Sequence, residues 1–254
     1  MPKLNRDGVN IYYEVHGSGP VLLLTHGYSA TAQMWKGQIE ALSKNHTLVT
    51  WDMRGHGQSD YPADQSAYSE EATVGDMAAI LDKVGARKAI VGGLSLGGYM
   101  SLAFYRVHPE RVSALLIIDT GPGFKKDDAR ETWNIRARET GDRYDKEGLA
   151  VLKSGSAERA YAVHRSADGL ARAARGMLAQ KNSSVIESLP NIKVPSLVIV
   201  GANDTPFIAA SDYMAAKIPG CKKVVIPAAG HASNIDQPQA FNDAVTGFVN
   251  GLAA

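Results

Sequence analysis

The fold class that the sequence predicts is α/β, with a mostly parallel sheet flanked by helices. Two observations lead to this prediction. Short apolar runs that are typical of buried strands alternate with longer segments of helical periodicity. Several of these runs are apolar at nearly every position, which is expected of strands covered on both faces. With 254 residues and no linker-like segment, the chain is expected to form one large domain.

The first half of the chain can be divided into elements in order. Strands are predicted at residues 9–15, 21–25, 47–51, 88–92 and 112–118, and helices at 32–44, 69–84 and 96–108. An Asp7-Gly8 turn precedes the first of these strands. Ser69 suits the start of its helix because two glutamates follow it, and Pro109 ends the next helix.

Between residues 121 and 190 the alternation stops. This stretch is charged and rich in alanine, and it contains no strand-like apolar run, which predicts a helical insertion that we call the cap. The alternation resumes with strands at 195–200 and 222–226 and helices at 208–217 and 237–252. The predicted organisation is therefore a core of residues 1–120 and 191–254 that carries the cap, residues 121–190.

Composition and charge argue against several classes of partner. The net charge of +1 gives no electrostatic reason to expect nucleic acid or an acidic membrane surface. The single cysteine, Cys221, has no mate for an intrachain disulfide, which fits a reducing compartment. No signal peptide is visible, and the uncharged stretch 89–105 is too short to span a membrane. We expect a cytoplasmic protein whose partner is a small molecule.

Residues 93–97, Gly-Leu-Ser-Leu-Gly, match a GxSxG pattern between a predicted strand and a predicted helix. A serine at the tip of such a turn needs neighbours without bulky side chains, and its hydroxyl is then exposed to substrate. The pattern is weak by itself, because only three of its five positions are fixed. Its position between strand and helix makes Ser95 a candidate nucleophile.

A serine hydroxyl is a poor nucleophile at neutral pH and needs a general base, which in turn needs an orienting acid. His231 follows the last predicted strand, and Asp204 follows the strand before it. The carboxyl ends of parallel strands share one edge of the sheet, so these side chains could meet Ser95 there. Asp119, at the end of the strand 112–118, is a rival for the acid.

Acyl transfer also requires donors aimed at an oxyanion. Leu96 follows the candidate nucleophile at a helix start, where unpaired N–H groups and the helix dipole favour negative charge. Tyr28 follows His26-Gly27 at the end of the strand 21–25, and the glycine allows the backbone to approach substrate. The backbone N–H groups of Tyr28 and Leu96 are therefore the candidate oxyanion hole.

Taken together, the motifs resemble those of the α/β-hydrolase family. They are Thr-His-Gly-Tyr at 25–28, Asp-Met-Arg-Gly-His-Gly-Gln-Ser-Asp at 52–60, Gly-Leu-Ser-Leu-Gly-Gly at 93–98, Gly-Ala-Asn-Asp at 201–204 and Gly-His at 230–231. The resemblance covers nearly the whole chain and is strongest to compact serine esterases, enol-lactonases and cofactor-free haloperoxidase-like enzymes. It implies a mostly parallel eight-stranded sheet with a helical cap and a Ser-His-Asp triad.

Other candidate residues have simpler roles. His26 is expected to shape the oxyanion loop through hydrogen bonds, and His56 to belong to a scaffold in which Arg54, Asp52 and Ser59 hold one another in place. Asp236 is expected to cap the last helix. The histidines lack the spacing of a metal site, so neither a metal nor a cofactor is expected.

The residues that contact substrate are the least determined by sequence. Tyr28, Tyr99 and Phe207 lie near the predicted catalytic edge, and Trp133 is a candidate from the cap. Apolar cap residues could also line a pocket, although most such residues form a packing face: Ile135, Tyr144, Leu149, Leu152 and Met177. The 13 Lys and Arg residues of the cap, against 10 Asp and Glu, predict a solvated surface rather than an anion pocket.

The favoured hypothesis is a serine hydrolase that cleaves carboxylic esters or lactones through an acyl-enzyme. Two alternatives keep the same triad: hydrolysis of a carbon-carbon bond, and perhydrolysis. Epoxide hydrolases and dehalogenases are disfavoured, because in those relatives an aspartate stands at the position of Ser95. A ligand receptor with slow or no turnover is the alternative from another class.

Overall fold

A computed structural model describes residues 2–154 and 157–252. Eight strands form one sheet: β1 (Lys3–Arg6), β2 (Val9–His16), β3 (Val21–Thr25), β4 (Thr47–Trp51), β5 (Ala89–Leu94), β6 (Val112–Ile118), β7 (Ser196–Gly201) and β8 (Lys222–Ile226). Their spatial order is β1-β2-β4-β3-β5-β6-β7-β8. The pairs β1/β2 and β2/β4 are antiparallel and the others are parallel. The predicted α/β fold with a mostly parallel eight-stranded sheet is confirmed.

The helices surround this sheet and follow the strands in the predicted alternation. They are α1 (Ile39–Leu42), α2 (Glu70–Lys83), α3 (Leu96–Val107), α4 (Asp127–Glu147), α5 (Ala167–Ala173), α6 (Ser184–Ser188), α7 (Thr205–Lys217), α8 (Ser233–Asp236) and α9 (Pro238–Asn250). Ser69 caps α2 as expected, since its hydroxyl accepts a hydrogen bond from the backbone N–H of Ala72. In the described residues, no helix has both the length and the apolar character that a membrane crossing requires.

The first elements differ from the prediction in two ways. Strand β1 was not predicted, because its four residues carry a single large apolar side chain; it is paired to β2 across a turn in which Asp7 and Gly8 both have positive φ. The helix predicted at 32–44 is a 3₁₀ segment, Ala32–Gln38, followed by the four-residue α1. Gly37, a poor helix former, lies next to the junction.

The core lies on both faces of the sheet. In β6, Leu115 and Ile117 pack in the cluster on one face, while Leu116 and Ile118 pack in the cluster on the other, and all four are fully buried. This alternation explains the continuous apolar runs of the sequence, because the pleat sends successive side chains to opposite, equally covered faces. The sheet is thereby a rigid support for the loops at its carboxyl edge.

The cap elements lie between β6 and β7. All the secondary-structure elements that the structure describes in this stretch are helical. They are the long helix α4, shorter 3₁₀ and π segments, α5 and α6. Trp133 of α4 donates a 2.7 Å hydrogen bond from its indole nitrogen to the carbonyl of Leu178, so the returning chain is held against α4. The division into core and cap as separate units stays a prediction.

Candidate active site

Ser95 stands alone between β5 and α3 in a strained backbone conformation, φ 55° and ψ −116°. Positive φ is rare for residues other than glycine and persists only where the surroundings enforce it. Its backbone N–H donates to the carbonyl of Ile118 at 2.9 Å, and its carbonyl accepts a 2.6 Å hydrogen bond from the hydroxyl of Thr120. The end of β6 and the residues that follow it therefore hold the turn in place.

The two glycines that flank Ser95 are required by space. A Cβ at Gly97 would lie 2.2 Å from the carbonyl oxygen of Thr25, and one at Gly93 would lie 2.5 Å from the same oxygen. Real Cβ atoms do not approach backbone oxygens this closely, so any other residue would push β3 and α3 apart. The GxSxG pattern thus reflects close packing of the turn against the end of β3.

His231 and Asp204 are joined directly. Nδ1 of His231 lies 2.9 Å from Oδ2 of Asp204, whose side chain is 4% exposed, whereas that of His231 is 24% exposed. Burial lowers the pKa of His231, but the hydrogen bond and charge of Asp204, together with the charges of Glu158 and Asp119, outweigh burial, so the pKa is raised above its usual value of 6.5. The histidine is thereby oriented with Nε2 free to face a reacting group.

Ser95 and His231 are not hydrogen-bonded to one another. Among the described residues the Ser95 hydroxyl has no hydrogen-bond partner. The hydrogen bond between a nucleophile and its base is often long until substrate is in place. Its absence is therefore compatible with a proton transfer from Ser95 to His231. Phe207 lies close to both residues. Its ring stacks on that of His231, with centroids 4.9 Å apart, and it lines the same cavity as Ser95.

Asp119, the rival acid, has other partners. Its carboxylate accepts hydrogen bonds from the backbone N–H of Gly201 at 2.8 Å, the backbone N–H of Ser233 at 3.1 Å and the Ser233 hydroxyl at 2.5 Å. Burial raises the pKa of Asp119 to about 7, despite these hydrogen bonds. Asp119 thus joins the ends of β6 and β7 to the segment that follows His231, while Asp204 contacts the imidazole.

The expected role of Asp236 is wrong. Gln237 precedes α9, and no side chain caps that helix. The Asp236 carboxylate instead accepts a 2.8 Å hydrogen bond from the backbone N–H of Gly230, one residue before His231. A short helix, α8, which was not predicted, ends at Asp236 and turns this side chain back toward the loop that carries His231.

The candidate oxyanion donors lie beside Ser95. An ideal Cβ on Gly27 would be 3.5 Å from the Cβ of Ser95, so the chain at residues 27–28 passes next to the serine. The N–H of Tyr28 has no acceptor among the described residues, and the N–H of Leu96 is the first of α3, where no intrahelical acceptor exists. Two backbone donors are therefore available near this hydroxyl.

A cavity of about 240 Å³ opens at Ser95. Three of the four residues proposed from sequence to contact substrate line it: Tyr99, Trp133 and Phe207. Tyr28 does not; its side chain is buried, and its hydroxyl donates a 2.8 Å hydrogen bond to the carbonyl of Leu170. The remaining cap candidates do not line the cavity either: Ile135, Tyr144, Leu149, Leu152 and Met177.

Sequence reasoning missed three polar residues of this cavity: Thr120, beside the Ser95 turn, and Arg136 and Gln180 from the cap. Arg136 stands among many charged residues of α4, and nothing in the local pattern distinguishes it. Gln180 lies in an irregular segment 44 residues later along the chain. Only the fold of that segment onto α4 brings the two residues to one cavity.

The histidines assigned to scaffold are hydrogen-bonded within the loops. Nε2 of His26 accepts from the N–H of Met53 at 2.9 Å, and Nε2 of His56 accepts from the N–H of Ser29 at 3.2 Å. Both rings are fully buried, and burial lowers the pKa of His26 to about 3. Their hydrogen bonds join the loop at residues 26–29 to the loop at residues 53–56.

The expected mutual contacts of Asp52, Arg54 and Ser59 are only partly correct. The Ser59 hydroxyl does donate to the backbone carbonyl of Asp52 at 2.5 Å. Arg54 instead pairs with Asp76 of α2 through hydrogen bonds of 2.7 and 2.8 Å. The sequence could not indicate this partner, because Asp76 lies within a helix far from the loop motif.

The sheet, the strand-to-helix turn at Ser95 and the histidine-aspartate pair at the same edge define an enzyme-like site of the hydrolase class. A sequence model of the protein family described as the alpha/beta hydrolase fold matches residues 20–184, well over half of the chain. The chain belongs to the alpha/beta hydrolase fold family.

Three similar proteins illustrate the range of this family. A putative 2-succinyl-6-hydroxy-2,4-cyclohexadiene-1-carboxylate synthase of Bacillus subtilis is 29% identical, covering 97% of this chain and 97% of its own. A 3-oxoadipate enol-lactonase of Acinetobacter baylyi is 27% identical, covering 98% and 96%. The structure of a thermophilic esterase from Thermogutta terrifontis, with malate bound, superposes with a TM-score of 0.88 at 27% identity, covering 100% of both chains.

Proposed function

We propose that this chain is a serine hydrolase that cleaves carboxylic esters or lactones through an acyl-enzyme intermediate. The observation that carries the proposal is the 2.9 Å hydrogen bond between His231 and Asp204, at a cavity shared by Ser95 and by Phe207, on which His231 stacks. The esterase and the enol-lactonase among the relatives support carboxylic ester hydrolysis. Neither step of the mechanism requires a cofactor.

In the first step Ser95 attacks the carbonyl carbon. Nε2 of His231 takes the hydroxyl proton as the Oγ–C bond forms, and the Asp204 carboxylate stabilises the imidazolium and fixes the tautomer. The carbonyl oxygen becomes an oxyanion that accepts hydrogen bonds from the N–H groups of Tyr28 and Leu96. When the tetrahedral intermediate collapses, His231 returns the proton to the leaving alkoxide, and the acyl group stays on Ser95.

Deacylation repeats the chemistry with water. His231, now neutral, removes a proton from a water molecule that attacks the acyl carbon, and the same two N–H groups hold the second oxyanion. Collapse of this intermediate breaks the Oγ–C bond, and His231 returns the proton to Ser95. A lactone follows the same course, except that the leaving alcohol remains attached to the acyl chain.

The test combines labelling with turnover. A fluorophosphonate probe is expected to add covalently to Ser95 in the wild type, as located by peptide mass spectrometry, and Ser95→Ala is expected to abolish both labelling and hydrolysis of p-nitrophenyl acetate. Ser113→Ala, which changes an exposed serine of β6, is the matched control and should retain both. Full residual activity in Ser95→Ala, with unchanged circular dichroism, would contradict the proposal.

A substrate panel separates the alternatives that use the same triad. Esters and lactones are expected to be turned over repeatedly. Preferential cleavage of a vinylogous diketone, or peracid formation with hydrogen peroxide, would favour carbon-carbon hydrolysis or perhydrolysis instead. A single turnover followed by a stable acyl-enzyme would favour a receptor.

A further inference from the structure

The cap side of the cavity carries one charged residue without an internal partner. Arg136 of α4 is the only charged side chain among the described residues that line the cavity, and it is exposed. In the part of the chain that the structure describes, its guanidinium makes neither an ion pair nor a hydrogen bond, whereas Arg130 and Arg138 of the same helix pair with Asp127 and Glu131. The guanidinium of Arg136 is therefore available to a ligand in the cavity.

Gln180 provides a second polar group at the same cavity. It is 8% exposed, and its Oε1 is buried without a hydrogen-bond partner. Its amide nitrogen likewise has no acceptor among the described residues. An unpaired buried amide oxygen is unfavourable in a folded protein, and rotation of the amide exchanges its oxygen with its nitrogen, so Gln180 can present N–H donors to a polar ligand group in the cavity.

The position of Gln180 is fixed from α4. Asn134 accepts a 2.8 Å hydrogen bond from the backbone N–H of Gln180 and donates a 2.9 Å hydrogen bond to its carbonyl. Asn134 is two residues from Arg136, and Trp133 holds Leu178 in the same manner. The returning chain is thus locked to the helix that carries the guanidinium, and the two polar groups belong to one preformed wall.

The rest of the cavity carries no carboxylate in its described lining that would repel an anionic ligand. Its described lining contains no aspartate or glutamate, and the remaining residues are mainly apolar. Glu70, which reaches the hydroxyl of Tyr99, is already paired with Arg106. Within the described lining of the cavity, a negatively charged ligand group near Arg136 would therefore meet a positive charge and no carboxylate.

We propose that the ester or lactone taken by this site carries a free carboxylate, which the guanidinium of Arg136 and the amide of Gln180 bind. A guanidinium presents parallel N–H donors that match a carboxylate, and the Gln180 amide can turn its nitrogen toward it. The aliphatic part of such a substrate would lie along Trp133 and Leu178. Arg136 thus departs from the expectation that the basic residues of the cap only form a solvated surface.

The inference rests on the proposed function, but binding can be measured without hydrolysis. Glutarate, a dicarboxylate with no scissile bond, is titrated into the wild-type chain by calorimetry, with pentanamide as the neutral probe. We expect glutarate to bind, pentanamide to bind at least about tenfold more weakly, and glutarate affinity to fall as salt is raised. Arg136→Gln should weaken glutarate binding about tenfold, and Arg138→Gln, on the same helix and outside the cavity, should not change it.

Turnover provides the second readout. Monomethyl glutarate is compared with methyl pentanoate, a neutral ester of similar length, and we expect kcat/KM to favour the anionic ester through KM. Arg136→Gln and Gln180→Leu should each lower kcat/KM for monomethyl glutarate toward the value for methyl pentanoate and so remove that preference, whereas Arg138→Gln, outside the cavity, should retain it. Thermal unfolding curves confirm that each variant is folded.

The outcomes separate the two proposals. Equal hydrolysis of both esters, with glutarate binding unaffected by Arg136→Gln in folded protein, would overturn the carboxylate site and leave the serine hydrolase intact. Glutarate binding that depends on Arg136, without hydrolysis of either ester, would overturn the proposed function and support the anion site. Arg136-dependent preference in both measurements supports both.

Discussion

The carboxylate of Asp119 accepts a 2.5 Å hydrogen bond from the hydroxyl of Ser233, two residues beyond His231. This contact joins the end of β6 to the segment that carries the histidine, and Gly201 at the end of β7 donates to the same carboxylate. Asp204 contacts the imidazole itself. Two acids at one edge of the sheet therefore position the histidine in different ways: Asp204 contacts its ring, and Asp119 holds Ser233 in the segment that follows it.

The first prediction separates these two acids by substitution. Asp204→Asn should lower kcat for ester hydrolysis by about 10³- to 10⁴-fold, because the amide does not hold the productive tautomer or stabilise the imidazolium. Asp119→Asn should lower kcat less than about tenfold but reduce the free energy of unfolding by about 1–3 kcal/mol, since an amide donor would face N–H groups. Initial rates and urea unfolding measure the two effects. An equal loss of kcat in both variants would contradict this division.

The second prediction concerns the pH dependence of kcat/KM. A general base must be neutral, and the pKa of His231 is raised above 6.5, chiefly by Asp204 acting against burial. Activity should therefore rise with pH and level off above an apparent pKa that exceeds 6.5. In Asp204→Asn the residual activity should titrate at lower pH, because the group that raises the pKa is removed.

Asp119 could contribute to the same profile, because burial raises its pKa to about 7 and its charge acts on His231. The profile of Asp119→Asn is therefore the control, and it should keep an apparent pKa that Asp204→Asn loses. If only Asp119→Asn loses the pH dependence, Asp119 and not His231 is the group whose titration controls activity.

The strands could be predicted from sequence because both faces of the sheet are buried. Continuous apolar runs mark β3, β4 and β6 to the residue, whereas β1, which has little apolar surface, left no such mark. Chemistry-bearing residues at strand ends were predictable for a related reason, since parallel strands bring their carboxyl ends to one edge.

Contacts between distant irregular segments could not be predicted. The hydrogen bonds of Asp119 with Ser233 and of Asn134 with Gln180 join residues far apart in the chain, without periodicity or a motif to link them. The cavity wall depends on such contacts, so the residues that line the cavity were only partly predicted. The Tyr28 side chain does not line the cavity, because it is buried against the cap and its hydroxyl donates a hydrogen bond to the carbonyl of Leu170.

The third prediction tests the close approach of Gly97. A Cβ there would lie 2.2 Å from the carbonyl oxygen of Thr25, so Gly97→Ala must displace either β3 or the turn that carries Ser95. We expect loss of at least about 2 kcal/mol of stability and a large loss of activity. Gly247→Ala is the control: a Cβ at that position in α9 meets nothing within 4 Å, and stability should rise by about 0.5–1 kcal/mol. Equal stability changes in the two variants would contradict the packing argument.

Three buried histidines connect the loop at residues 26–29 to the cap. The His26 and His56 rings are 4.9 Å apart, and the His56 and His164 rings are 5.7 Å apart. His164, from the cap, contacts the core at both nitrogens: Nδ1 accepts from the N–H of Gly57 at 3.1 Å, and Nε2 lies 2.9 Å from the carbonyl of Ser29. Burial is the main cause that lowers the pKa of all three.

The fourth prediction concerns the stability of the fold at low pH, and the lowered pKa values of these histidines determine its direction. A histidine with a lowered pKa binds fewer protons in the folded state than in the unfolded state, so its contribution to stability is complete above about pH 6.5. That contribution is lost as pH falls toward the folded pKa, which for His26 is about 3. Asp52 and Asp119 act in the opposite direction, because burial raises their pKa values to about 6 and about 7. The histidine contribution must therefore be measured as a difference between variants.

His164→Asn isolates one member of the cluster. The asparagine oxygen can accept the hydrogen bond from Gly57 but cannot be protonated, so the variant is expected to be somewhat less stable than wild type at pH 8 and to lose less stability on acidification. Between pH 6.5 and 5 the slope of unfolding free energy against pH should be shallower than that of wild type by up to about 1.4 kcal/mol per pH unit, the value for one proton. Urea unfolding at a series of pH values measures both slopes, and His16→Asn, which changes a partly exposed histidine of β2, is the control. Parallel slopes in wild type and His164→Asn would mean that the imidazole of His164 is accessible to protons in the folded state, contrary to its burial against the core.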